Sequence, residues 1–413
     1  MRKLVPVSSV LSKRAGGPSG YLANLLEGVK RIGNDEILIT GMDQDEKLRG
    51  KSPGKLPLRS HLLAYMKRFL KRTLPAALLH RRLEKSRAER GRSFALFVDN
   101  LLSQDDYSVV HFHSTSDFHN FLIFSRNKKR SFACVLTSHS PIPAFLEEVT
   151  YLSYQGYSKP CVNKERILLE KRDLESFMNA DYIVFPCEEA TEGYFEWDSF
   201  RQIAARKKIK FVLSGVERLV PKVSAEQLRY KFSIPSSAFV VSYVGRHDVF
   251  KGYDILQKAA EHVWSRNENV WFLIAGKEWP IKGLRDKRWI EVGWTDDPAS
   301  LINASDVFVL PNRMTFFDLV MLEVMSLGKI IIASNTGGNK FVAKQTRGVL
   351  LFENENEIDL AKKILDLSIE PNTSRQKMEK ENLNTYEDCY TPELFARRYV
   401  ALYDEIEKGV HSN

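Results

Sequence analysis

No apolar run in this 413-residue chain reaches the roughly 18–20 residues that span a bilayer, so no membrane-crossing helix is expected. Cysteine is scarce. Cys134, Cys161, Cys187 and Cys389 form no C-x-x-C pair and have no histidine at metal-ligand spacing. That argues against a disulfide framework or a structural zinc site, and for buried thiols in a reducing cytoplasm. A secretory leader is also not indicated. Met1–Val10 carries Arg2 and Lys3, but Pro6 interrupts its short apolar stretch, and Leu4–Val10 reads as a first strand. Tandem repeats are missing too, which excludes a solenoid.

What is present suits a globular protein: 43% hydrophobic and 27% charged residues, in a chain long enough for two cores. The formal net charge of +9 is local in origin. Of the 61 Lys/Arg, 13 lie between Lys51 and Arg92 with only 2 Asp/Glu, so the rest of the chain is close to neutral.

Strand-like and helix-like stretches alternate along both halves. In the first, Leu4–Val10, Glu36–Thr40, Val109–His113, Phe132–Ser138, Ala180–Pro186 and Lys210–Leu213 read as strands. In the second, Phe239–Val244, Val270–Ala275, Trp289–Val292, Val307–Pro311, Ile330–Ala333 and Gly348–Leu351 do. Such alternation predicts parallel sheets with helical crossovers. The expected fold is therefore α/β, with two Rossmann-like doubly wound domains facing across a cleft. Domain boundaries are placed at 1–214 and 215–392, with 393–413 a C-terminal helix crossing back to the N-terminal domain. Open α/β sheets bind ligands beyond the carboxyl ends of their strands. Four second-half strands end in small-residue loops, at Gly245, Gly276, Gly293 and Asn335–Gly338, which points to a ligand cleft there.

Two stretches carry chemistry. Val244-Gly245-Arg246-His247-Asp248-Val249-Phe250-Lys251-Gly252 follows a strand and precedes a helix. Its two cations, Arg246 and Lys251, suit a diphosphate; taken alone they are equally compatible with solvated surface charges. The second stretch runs from Pro311 through Thr315-Phe316-Phe317-Asp318-Leu319-Val320 to Glu323 and Lys329, with a helix expected from about Asp318. Glu323 stands among apolar neighbours and needs a partner, either the hydroxyls of a ribose or a nearby cation.

Together with Ser334-Asn335-Thr336-Gly337-Gly338, these stretches resemble the donor site of GT-B-fold glycosyltransferases, family 4 (glycosyl transferases group 1). The likeness is strongest over 239–341. It extends more weakly to Gly16-Gly17, Val109–His113, Leu136-Thr137-Ser138-His139, Ala180–Pro186 and the closing helix. The resemblance implies a retaining transfer of a hexose or related sugar, needing no metal and no other cofactor. The donor would be a nucleotide-sugar, a UDP- or GDP-sugar, and the acceptor a glycan or a polyprenyl-linked or other lipid acceptor. Arg246 and Lys251 would stabilise the departing diphosphate. Glu323 would bind the ribose, and the backbone N–H groups of Asp318, Leu319 and Val320 would face phosphate and sugar. Phe317, Gly245, Gly16 and Gly17 would line the donor. Trp294 would meet the nucleobase or simply pack, and His139 would lie near the transferred sugar or cap its loop. His111 and His113 are assigned to structure. One position departs from the family pattern: Thr315 replaces the first of two glutamates. A hydroxyl there, or Asp318 if it turns inward, would have to serve the sugar.

The basic segment 51–92 interleaves Leu62, Leu63, Tyr65, Met66, Phe69 and Leu70 with Lys67, Arg68, Lys71 and Arg72. An amphipathic helix interrupted at Pro75 is expected, suited to an anionic membrane surface, to nucleic acid or to plain solvation. Because the family's N-terminal domain receives the acceptor, often lipid-linked, the membrane is preferred and no specific nucleic acid is expected. The location implied is peripheral, at the cytoplasmic face. A non-catalytic, glycosyltransferase-like partner subunit is the alternative to an enzyme of surface polysaccharide or glycolipid synthesis.

Overall fold

The computed structural model describes residues 1–8, 11, 17–42 and 75–411. Gly16, and the 51–74 part of the basic segment with its expected amphipathic helix, lie outside the described residues.

Two six-stranded sheets organise the chain. The first comprises β1 (Arg2–Val7), β2 (Ile37–Gly41), β3 (Tyr107–Phe112), β4 (Ala133–Leu136), β5 (Tyr182–Phe185) and β6 (Lys208–Phe211), in the order β2-β1-β3-β4-β5-β6. The second comprises β7 (Phe239–Val244), β8 (Val270–Ala275), β9 (Trp289–Gly293), β10 (Val307–Leu310), β11 (Ile330–Ser334) and β12 (Val349–Phe352), in the order β12-β11-β10-β7-β8-β9. Every pairing is parallel, as between β7 and β8 or β10 and β11. The central strands are near-continuous apolar runs because helices cover both faces; Ile330, Ile331, Ile332 and Ala333 are all fully buried. Edge strand β6 is different. Lys208 and Lys210 alternate with apolar residues there, and its half-exposed character is what an unpaired edge tolerates.

Both sheets reverse their winding direction at one point: between β1 and β3 in the first, and between β10 and β7 in the second. Neighbouring loops diverge at such a point and leave a crevice at the carboxyl ends. The loops bordering the second crevice are those after β7 and β10, the two stretches that carry Arg246 and Glu323.

One helix departs from the expected plan. Residues Ala76–Leu102 form one continuous helix, so the break at Pro75 is its start, and no second break precedes Ser93. Pro75 fits at the N-cap because its missing N–H has no partner to lose there. The closing helix Pro392–His411 places Phe395, Tyr399, Leu402, Tyr403 and Ile406 in the same apolar cluster as Val5, Val7, Leu22 and Leu25. The buried Tyr21 and Tyr399 hydroxyls are hydrogen-bonded at 2.6 Å. The core of the first sheet is thus completed by the last helix of the chain. Among the described residues no helix is long and apolar enough to cross a membrane.

Candidate active site

The loop after β7 is shaped by a buried carboxylate. Asp248 is 2% exposed, and its Oδ1 accepts the backbone N–H of Lys251 at 2.9 Å. This closes the turn so that Arg246 and Lys251 leave the same loop. Gly252 makes the turn possible: its φ is +62°, and a Cβ there would stand 1.7 Å from the carbonyl oxygen of Pro311. The loops after β7 and β10 therefore touch backbone to backbone, which only glycine permits.

Both cations are engaged. Lys251 Nζ donates to the Asp318 carboxylate at 2.8 and 3.1 Å. Arg246 reaches the opposite half of the molecule, to the helix Ala144–Tyr154. Its Nη1 donates to the Tyr151 hydroxyl, and its Nη2 lies 3.4 Å from Glu147 Oε1. The guanidinium also stands over the Tyr151 ring at 5.3 Å, and Nε lies 3.4 Å from Asp248. Tyr151 donates in turn to Asp248 at 3.1 Å.

The loop after β10 runs inward. Thr315, Phe316 and Phe317 are all buried, and Phe317 packs near Phe341 and Tyr390 at 6.4 and 6.1 Å between centroids. Asp318 is the N-cap of the helix Leu319–Ser326, but its side chain makes no cap hydrogen bond. It accepts instead from Lys251 and from the Asn312 amide. The expected possibility that Asp318 replaces the lost carboxylate at Thr315 thus meets a carboxylate already tied to a cation. Among the described residues the buried Thr315 hydroxyl has no hydrogen-bond partner. The first N–H groups of the helix, at Leu319 and Val320, have no intrahelical acceptor and are free for an anion.

Glu323 follows one turn into that helix, half-buried. Burial raises its carboxyl to about 7, with no compensating charge. Among the described residues it has neither a hydrogen-bond nor an ion-pair partner, so the cation alternative is not realised there.

On the other side of the cleft, Gly17 opens the helix Gly17–Arg31 with φ +50°. His139 has φ +61°, an uncommon value for a residue with a side chain. Its Nε2 is 2.7 Å from His113 Nδ1, and its ring sits edge-on to Tyr21 at 4.4 Å. Phe316, from the second half, reaches the same ring at 6.2 Å. Burial lowers the His139 imidazole to about 3, so it is neutral. His111 belongs to the core, bonded to the Tyr403 hydroxyl at 2.8 Å and to Thr137 at 2.9 Å. Trp294 follows Gly293, whose φ is +76°, and is 68% exposed. It therefore does not pack internally and stands available to a planar ligand. Gly245 leaves the end of β7 beside Tyr243, whose hydroxyl bonds the Arg246 carbonyl at 2.6 Å.

Several residues near the crevice carried no signal in the sequence. Glu147 and Tyr151 are distant in the chain from Arg246 and lie on an otherwise ordinary helix. Glu192 crosses between the halves, its carboxylate accepting from Lys340 at 2.7 Å and from the Gly337 N–H at 3.2 Å. His247 is fully buried and stacked on Tyr253 at 4.0 Å, and among the described residues neither ring nitrogen is hydrogen-bonded. A cavity of about 540 Å³ lined by Arg229, Asp306 and Lys329 lies elsewhere, at the amino ends of β10 and β11, away from the crevice.

Residues 238–369 match the family model described as glycosyl transferases group 1. An Escherichia coli UDP-Gal:alpha-D-GlcNAc-diphosphoundecaprenol alpha-1,3-galactosyltransferase is 24% identical over 360 residues, 82% of this chain and 84% of that protein. The sucrose-phosphate synthase of Thermosynechococcus elongatus superposes with a TM-score of 0.67 at 19% identity, covering 99% of this chain and 100% of that one. HepE of Anabaena, solved in complex with UDP, superposes with a TM-score of 0.60 at 14% identity, covering 98% and 100%. At those identities the two structures speak for the fold alone. Residues 238–369 thus belong to the glycosyl transferases group 1 family, within a chain that has the two-sheet GT-B fold.

Proposed function

We propose that the chain is a retaining, metal-independent glycosyltransferase of family 4. Its donor would be a UDP- or GDP-sugar carrying a hexose or related sugar, and its acceptor a glycan or a polyprenyl-linked lipid. The observation that carries this reading is Glu323: a half-buried carboxylate with no hydrogen-bond or ion-pair partner among the described residues, one turn into the helix whose N-cap, Asp318, is held by Lys251. Ribose hydroxyls would supply the missing hydrogen bonds. The helix start at Leu319 and the two cations would take the diphosphate.

In the transfer, the acceptor hydroxyl would attack the anomeric carbon on the face from which the diphosphate leaves. The sugar–phosphate C–O bond breaks as the new C–O bond forms, and the hydroxyl proton passes to the departing phosphate oxygen. The charge that develops on that oxygen is what Arg246 and Lys251 are placed to stabilise, so no metal is required for it. Neutral His139 would face the sugar, and Gly16-Gly17 would let the first loop approach donor and acceptor. The UDP in the HepE structure and the diphosphoundecaprenol acceptor in the name of the E. coli relative support these substrate classes. They also support a role in surface polysaccharide or glycolipid synthesis, with the enzyme peripheral at the cytoplasmic face of the membrane.

Calorimetry with UDP and GDP tests the donor site. One of them binds the native protein, and Arg246→Ala and Glu323→Ala each lose that binding; no binding of either nucleotide overturns the reading. Thr315 is the one feature that favours a partner subunit without turnover. A screen of nucleotide-sugars for slow donor hydrolysis decides between the two. Hydrolysis of any of them establishes the enzyme, and tight nucleotide binding with none favours the partner.

A further inference from the structure

Arg246 is held by the opposite domain through groups that compete with a phosphate. Glu147 Oε1 is 3.4 Å from its Nη2, and the Tyr151 hydroxyl accepts from its Nη1. The guanidinium side chain is about half exposed and Glu147 about a third, so both are within reach of an incoming anion (49% and 30%). Glu147 is not an isolated surface acid. Its Oε2 accepts from Ser140 Oγ at 3.3 Å, and Ser140 adjoins His139 on the loop that faces the second sheet. Its neighbour Glu148 turns elsewhere, pairing with Arg172 at 2.7 Å.

From this geometry we infer that Glu147 and Tyr151 are positioning residues that occupy the phosphate-binding face of Arg246 until a nucleoside diphosphate displaces them. The inference rests on the donor reading given above. A guanidinium in this position has a limited set of donors in one plane. Two are already used across the cleft, and the Glu147 carboxylate places a negative charge where the diphosphate must come. Donor binding exchanges one anion for another at Arg246. The exchange frees the Glu147 carboxylate beside the His139 loop, while the helix Ala144–Tyr154 itself stays anchored by the buried Phe145 and by the Glu148–Arg172 pair. Ordered binding follows: the donor first, and then an acceptor hydroxyl within reach of the freed Glu147 carboxylate.

The test compares Glu147→Gln with Glu148→Gln by calorimetry, using the diphosphate the native protein binds (UDP or GDP) and the matching nucleoside. Glutamine keeps the shape of Glu147 and removes the competing charge. The diphosphate then binds about twofold to fivefold more tightly to Glu147→Gln, the worth of one partly exposed ion pair. Nucleoside affinity stays unchanged in that variant, and Glu148→Gln changes neither. Tyr151→Phe, which keeps the ring under the guanidinium and removes only the hydroxyl, shifts diphosphate affinity in the same direction. Unchanged or weaker diphosphate binding by Glu147→Gln overturns the inference. So does equal tightening by both glutamine variants, which would reflect overall charge. A native protein that binds no nucleotide fails the donor reading itself, a separate result.

Discussion

Lys251 and Asp318 join the two loops that border the second crevice: the lysine donates to both carboxylate oxygens, at 2.8 and 3.1 Å. The bond ties the turn after β7 to the N-cap of the helix that carries Glu323. The charge proposed for phosphate and the carboxylate proposed for ribose are thus held in one unit.

Lys251→Met therefore has two consequences. It removes a charged donor from the proposed diphosphate site, a loss of about 1.5–3 kcal/mol, or roughly tenfold to a hundredfold in affinity. It also leaves the Asp318 carboxylate, among the described residues, with only the Asn312 amide. Calorimetry should show the loss for UDP or GDP and almost none for the corresponding nucleoside. Equal losses for both ligands would mean that the loop had simply collapsed.

Glu323 sets a pH dependence whose sign is fixed by its raised carboxyl, about 7 in the folded protein against an ordinary 4.5. The folded state holds this proton more tightly than the unfolded chain. Its stabilising contribution is complete below about pH 4.5 and is lost as pH rises through 7, at most about 3 kcal/mol. Glu323→Gln removes that dependence. Thermal unfolding should show the variant gaining more over the native protein at pH 8 than at pH 5, while nucleotide binding is lost. An identical gain at both values would show that the carboxyl is not buried as the structure has it.

Most of this architecture is legible in the sequence because its signals are local. Continuous apolar runs such as Ile330–Ala333, each closed by small residues, mark parallel strands whose two faces are both covered. The helix start at Asp318 and the lone acid at Glu323 follow from the spacing of one short stretch. What is not legible is long-range. Arg246 meets Tyr151 and Glu147 from 95 and 99 residues away, and no property of the helix Ala144–Tyr154 announces it. The continuity of Ala76–Leu102 was hidden for another reason: its basic first half and its apolar second half look like different segments. Packing unifies them, because Arg87 and His80 pair with the fully buried Glu165 while Phe94 and Val98 enter the core.

Thr315 stands in the resemblance where a carboxylate is expected, and its buried hydroxyl has no partner among the described residues. Thr315→Val removes that unsatisfied oxygen and keeps the β-branched shape. Removing a buried polar atom that has no partner is neutral or stabilising, so Tm should hold or rise. UDP or GDP affinity should also hold, because the sugar end of the site is the part altered. If Thr315 does serve the sugar, kcat/KM for donor hydrolysis falls about tenfold, one neutral hydrogen bond. An unchanged rate would remove Thr315 from the site and leave the sugar to other groups.

The basic segment gives the last prediction, at the described start of its helix. Arg81, Arg82 and Lys85 are exposed there, and Leu78 beside them is 42% exposed. Cations over exposed apolar surface suit an anionic bilayer, each contributing roughly 1 kcal/mol near the surface. Among the described residues Lys85 makes only an exposed pair with Glu89 at 4.0 Å, which contributes little, and the anchoring pairs to Glu165 come from His80 and Arg87 instead. Charge reversal at all three positions should therefore leave Tm and nucleotide affinity unchanged. Binding to phosphatidylserine vesicles at low salt should weaken by more than about a hundredfold, three such contributions removed and partly reversed. Added salt should weaken the native protein in the same direction, since the attraction falls off within a Debye length. Native protein that stays in the supernatant with such vesicles would sink the peripheral-membrane proposal, while the donor site would stand untouched.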